Sequence, residues 1–148
     1  MIGDEKFEQF HISQVAVFIR DNKCLIGEFS KWPGRWGLPG GRLDKGERNS
    51  EKAFRREIFE EIGLKEFEIL GIVDFEVWER KDKFPVSGIV RLIKNENDKI
   101  KISSENIQLK WVAENELDDY DFVWPNAKRM LVNGFRFKEL IEKYNEKK

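Results

Sequence analysis

The chain has 148 residues, enough for one domain that needs no disulfide or structural metal to hold its core. Lys+Arg (27) and Asp+Glu (28) nearly cancel to a net charge of −1, which argues against a general nucleic-acid or anionic-membrane binder. Cys24 is the single cysteine and His11 the single histidine, so an internal disulfide and a multi-histidine zinc site are both excluded.

The N-terminal stretch MIGDEKFEQF is charged and has no apolar signal-peptide core. No apolar run approaches the roughly 18 residues that a membrane span needs. We therefore expect a soluble cytoplasmic protein, a single domain over residues 1–148.

Ser13 to Arg20 reads as a strand and Cys24 to Phe29 as its partner, joined by a turn at Asp21-Asn22-Lys23. A Cys24–His11 dyad is formally available, but the apolar setting CLIGEF marks Cys24 as core. Lys31 to Gly46 is rich in Gly and Pro, hence mostly loop with a short extended piece. Asn49 to Ile62 predicts a helix. Phe67 to Glu79 and Pro85 to Lys94 predict a β-hairpin across Lys81–Lys83. Asn95 to Lys101 is a polar turn and Ile107 to Ala113 a late strand. Asn126 to Tyr144 predicts a terminal helix with an interruption at Gly134 and a frayed NEKK end. Strands and helices do not alternate regularly, so a mixed β-sheet flanked by helices, an α+β arrangement, is expected.

The segment from Gly40 to Leu64, GGRLDKGERNSEKAFRREIFEEIGL, carries the chemistry. Asn49 or Ser50 suits the N-cap and Gly63 the left-handed stop. At about 100° per residue, Glu57, Glu60 and Glu61 share an arc beside the apolar stripe Phe54, Ile58 and Ile62. Three carboxylates so close repel one another. Oxygen ligands on one rigid face are what Mg²⁺ accepts, together with water or substrate phosphates. By itself EIFEE also fits a solvated acidic face laced with Arg55 and Arg56. The preceding Gly37, Gly40, Gly41 and Gly46 favour a site, because they let backbone approach a ligand closely.

These residues resemble the Nudix box. Gly41 and Glu47 have its spacing, and Arg56-Glu57-Ile58-Phe59-Glu60-Glu61-Ile62-Gly63-Leu64 matches its second half at every specified position. Residues 48–55 number one more than the family has between Glu47 and Arg56. This predicts a loop bulge near Arg48–Asn49, with Glu47 displaced from Arg56. Trp36 to Gly41 and Ser104 to Val112 resemble the family's approach to its box and its late acidic-then-Trp-Val strand. The resemblance implies an α/β/α Nudix sandwich and a hydrolase that cuts a nucleotide phosphoanhydride.

It also implies roles. Glu57, Glu60 and Glu61, with the Gly41 carbonyl, would hold Mg²⁺ or Mn²⁺, and Arg56 would orient the carboxylates. The general base would be Glu57 or Glu60 within the box, or the later Glu105, which otherwise reads as an ordinary turn carboxylate. Phe122-Val123-Trp124-Pro125-Asn126 resembles the nucleobase-reading stretch of MutT-like members. Trp124 would stack on a base and Asn126 would hydrogen-bond it. The structural alternative is Trp124 as a lid on the core, Pro125 at the first helical position and Asn126 as a cap. Trp32, Trp36 and Trp78 are further stacking candidates that also suit core packing. Lys31, Arg35 and Arg42 would meet phosphate oxygens or remain solvated.

The expected partner is a small nucleotide. A nucleoside triphosphate hydrolysed to monophosphate and pyrophosphate is the first reading. Nucleotide sugars, ADP-ribose or dinucleoside polyphosphates are the alternative within the enzyme class. A catalytically silent nucleotide sensor is the alternative outside it, opposed by the intact carboxylate set. Oligomeric state is not legible.

Overall fold

The computed structural model describes residues 6–147. Expectations for residues 1–5 at the charged N-terminus and for Lys148 at the frayed end lie outside them.

Strands β1 (His11–Arg20) and β2 (Lys23–Phe29) form the first hairpin. Its turn uses Asp21 at φ 48° and Asn22 at φ 59°, the left-handed pair that a tight hairpin requires and that Asp and Asn tolerate. The Gly/Pro-rich loop holds two short strands, β3 (Arg35–Gly37) and β4 (Gly40–Arg42). Helix α1 (Ser50–Ile62) follows. Then β5 (Glu68–Glu79) and β6 (Pro85–Lys94) pair antiparallel, and β7 (Asn106–Ala113) runs beside β2. A 3-10 turn (Glu114–Asp119) and the two-residue β8 (Asp121–Phe122) precede helix α2 (Ala127–Glu146). Neither short element was expected, because so brief a segment shows no periodicity.

The sheet is mixed: β1 pairs parallel with β6 and β3 with β8, while the other pairings are antiparallel. Its two faces bury separate cores. Val15, Val17 and Ile19 of β1 meet Met130, Leu131 and Phe135 of α2. Ala16 and Phe18 point the other way, to Phe54, Ile58 and Ile62 of α1. The period of two along β1 thus divides one strand between both helices, the expected α/β/α sandwich. Each fully buried α1 side chain contributes about 1.5–3 kcal/mol.

Three expectations about α2 are corrected. The helix runs unbroken through Gly134, whose Cβ would strike the Val17 side chain, so the glycine serves close helix–strand packing instead of a break. It begins at Ala127, which leaves Pro125 in the turn before the helix and not at its first position. It also stays helical to Glu146, further than Tyr144.

The placement of the box follows from β1. On one edge its first residues pair with β4 (Gln14 with Gly41) and its last with β2. Gln14 Nε2 also donates to the Ser50 carbonyl at 3.0 Å, tying the start of α1 to the same strand. Among the described residues no helix is long and apolar enough to cross a membrane.

Candidate active site

Helix α1 has the predicted ends. Asn49 is the N-cap, its side chain accepting from Lys52 N at 3.0 Å, and Gly63 closes the helix at φ 68° with its N–H on Phe59 O. Locked between them, Glu57, Glu60 and Glu61 project from one edge.

These three line a cavity of about 160 Å³ with Ser103, Ser104 and Glu105. The structure therefore brings Glu105 to the box although it is 44 residues beyond Glu61 in the chain. Gly41 closes another side: a Cβ there would collide with the Glu57 carboxylate and push it from its present position.

Glu61 is buried, with Asn106 Nδ2 at 3.4 Å from its Oε1. Burial pushes its pKa up to about 8, against the Asn106 hydrogen bond and with help from the negative charges of Glu105 and Glu57. Burial likewise raises Glu57, whereas Arg56 opposes the rise. Arg56 is the hub. It reaches Glu47 at 2.8 Å, Glu57 at 3.1 Å, both oxygens of Glu60 at 3.1 Å and Asp44 at 3.3 Å.

The Glu47 contact overturns the predicted displacement. A turn at Asp44–Glu47, with Gly46 at φ 90°, lets Glu47 Oε1 accept from Asp44 N at 2.7 Å and still meet Arg56. That backbone hydrogen bond, with the Arg56 contact, also lowers the Glu47 pKa. The extra residue is absorbed downstream, at exposed Arg48 just before the Asn49 cap.

Among the described residues, no group of three or more His, Cys, Asp or Glu side chains is gathered closely enough to hold a metal ion as it stands. Arg56 draws Glu57 and Glu60 to itself. The donor set nevertheless fits a hard cation. Glu61 is a buried acid that meets Glu105 and Asn106 and feels the charge of Glu57, and the Gly41 cradle admits backbone at Glu57. Mg²⁺ takes one or two carboxylates plus water and phosphate, so a closed cage is not required.

A second cluster surrounds Trp124. Its half-buried ring meets Trp78 at 6.1 Å and Phe29 at 6.2 Å, beside Gly37. Asn126 is not a side-chain cap for α2. It donates Nδ2 to buried Glu76 at 3.2 Å, and its Oδ1 is enclosed without a partner. Gly37 and Gly41 link the two clusters through four residues, a span of at most about 14 Å.

Other candidates fall away from these clusters. Trp36 is core and packs edge-on to Tyr120, and Trp32 is exposed against Phe29. Arg35 ion-pairs with Asp121 at 3.1 Å and donates to the Phe122 carbonyl. Arg42 is exposed next to Gly41, 3.4 Å from His11 Nδ1. Cys24 pairs with Ile19, about 26 Å along β1 from His11 at ~3.3 Å per residue, so there is no dyad. Burial also pushes the Cys24 thiol up to about 12. A larger groove of about 690 Å³ lies by Arg20, Lys94 and Lys138, at the other end of β1, where it gathers charges of both signs.

Asn106, Glu76 and Arg129 were not singled out from the sequence. Glu76 had a signal: in Asp74-Phe75-Glu76-Val77 the acids face inward while Phe75 and Val77 are 63% and 51% exposed, an inverted alternation.

A mixed sandwich that lays this box along a glycine cradle defines a Nudix fold, and the NUDIX domain family matches residues 10–133. The chain belongs to that family: it is a pyrophosphohydrolase acting on nucleotide phosphoanhydrides. It is 29% identical over 116 residues to the nucleoside triphosphatase NudI of Escherichia coli O139:H28, covering 70% of this chain and 79% of the relative. Solved structures share the fold. The Caenorhabditis elegans Ap4A hydrolase has TM-score 0.76 and 23% identity over 87% of this chain and 98% of its own. The MutT protein of Methanosarcina mazei Go1 has TM-score 0.74 and 22% identity over 88% and 96%.

Proposed function

We propose that the protein is a Mg²⁺-dependent nucleoside triphosphate pyrophosphohydrolase that releases a nucleoside monophosphate and pyrophosphate. The observation that carries this reading is the pairing of an acidic cavity with an aromatic, amide-bearing cluster one short glycine run away. A base lodged against Trp124 would direct its phosphates along Gly37–Gly41 toward Glu57. NudI, named a nucleoside triphosphatase, supports the same substrate class.

Glu57, Glu60 and Glu61, with the Gly41 carbonyl, would hold the cation. When bound, the cation neutralises phosphate oxygens and makes a water acidic enough to attack. Arg56 holds Glu57 and Glu60 in place through its contacts at 3.1 Å. Glu105, on the facing wall of the cavity, is our choice of general base, taking the proton of the attacking water as one P–O–P bond breaks. Arg56 already draws Glu57 and Glu60 to itself, which leaves Glu105 the acid better placed for proton transfer. Arg42, beside Gly41, is suited to a phosphate oxygen.

The test is a Mg²⁺-dependent turnover panel of nucleoside triphosphates, nucleotide sugars, ADP-ribose and dinucleoside polyphosphates, with products resolved. The expected products are nucleoside monophosphate and pyrophosphate from a triphosphate. Turnover confined to substituted diphosphates overturns the triphosphate reading, and binding without turnover overturns the enzyme.

A further inference from the structure

We propose that Glu76 fixes the Asn126 amide so that it turns its acceptor and not its donor to the base, which selects nucleobases presenting an exocyclic amino group. This rests on the reading that Asn126 touches the base.

Glu76 is buried on β5 and accepts from Arg129 Nε at 2.6 Å, from Arg129 Nη2 at 2.5 Å and from Asn126 Nδ2 at 3.2 Å. Burial alone would raise its pKa, but the Arg129 and Asn126 hydrogen bonds outweigh burial and hold the carboxyl below the usual range. An ionised carboxylate only accepts hydrogen bonds. Asn126 must therefore turn its NH₂ to Glu76, which leaves Oδ1 facing the other way. That oxygen is enclosed and has no donor, while the helix start that an N-cap Asn would serve goes unused.

Such an acceptor lacks only its donor. A base stacked on Trp124 would bring its edge to Asn126, two residues on, once the groups that enclose Oδ1 part. An exocyclic amino group completes the pair. A carbonyl at the same place would set two acceptors against each other.

The test compares kcat/KM at pH 8 for ATP against purine riboside triphosphate, CTP against UTP, and GTP against ITP. The wild-type protein is expected to favour the amino member of at least one pair by about tenfold or more. Asn126→Ala should bring that ratio to within about threefold. Glu76→Gln presents a donor as well as an acceptor, frees the amide to turn over, and should shrink or invert the ratio. No preference in the wild type, or one for the member that lacks the amino group, overturns the proposal. If Asn126→Ala leaves the ratio unchanged, the base-contact reading itself fails. A ratio lost in Asn126→Ala but intact in Glu76→Gln overturns the clamp alone. Should Glu76→Gln not fold, Glu76→Asp, one methylene shorter, is expected to weaken the ratio, and full retention there overturns the clamp.

Discussion

Gly41 lies so close to Glu57 that a methyl group on its α-carbon would strike the Glu57 carboxylate. Its φ is not among the positive values, so alanine is conformationally tolerated there. The clash is with the end of a side chain that can swing away. Gly41→Ala is therefore expected to leave thermal unfolding nearly unchanged while kcat/KM falls by at least about tenfold, since catalysis depends on sub-ångström placement. Loss of folding, or full activity, would remove the cradle.

Glu60→Gln and Glu61→Gln should each cut kcat by about 10²-fold or more in a folded protein, because charge stabilisation of the phosphates is lost. Near-normal turnover of both at saturating Mg²⁺ would sink the metal-site assignment.

Glu61 also sets a pH dependence. Its pKa is raised from the usual carboxylate range to about 8 by burial, then by its acidic neighbours. The fold thus favours the protonated form. Relative to an unfolded glutamate near ~4.3, this stabilisation is complete below that value and lost as pH rises through about 8. A cation on Glu61 must displace the proton, so Mg²⁺ affinity should increase with pH up to about 8 and binding should release protons. Calorimetry in buffers of different ionisation enthalpy, beside metal-free unfolding curves, measures both. A pH-independent affinity, or the same pH slope in Glu61→Gln, would contradict the assignment.

Deleting Arg48 restores the family's spacing between Glu47 and Arg56. Because Arg48 is exposed and Asn49 already caps the helix, activity should change by less than about threefold, the size of a minor surface effect. Arg56→Met, by contrast, frees Glu57 and Glu60 and should lower kcat and weaken Mg²⁺ binding together.

Trp124→Ala should raise KM for the best triphosphate by roughly five- to 150-fold, the worth of about 1–3 kcal/mol of stacking. The ring also packs on Phe29 and Trp78, so some stability is lost, which unfolding curves will separate. An unchanged KM in a folded variant would end the stacking role.

The carboxylate helix was legible in the sequence from cap to stop, and so were both hairpins. Asn49, Gly63 and the Asp21–Asn22 turn act through hydrogen bonds and dihedrals within a few residues, and the apolar stripe of α1 is a property of one helix. Tertiary structure decided the rest. The expected Glu47 displacement failed because counting residues ignores how the loop at Arg48, before the Asn49 cap, can take up the extra residue. Gly134 read as a helix break, yet Val17 of a distant strand explains it. Asn106 beside Glu61 and Glu76 beside Asn126 are partners 45 and 50 residues apart. Sheet register brings such pairs together, and local propensity carries no information about it. Which atom of Asn126 remains unpaired follows from its contact with Glu76, whose carboxyl is held low, against burial, by Arg129 and Asn126, partners that only the folded chain assembles.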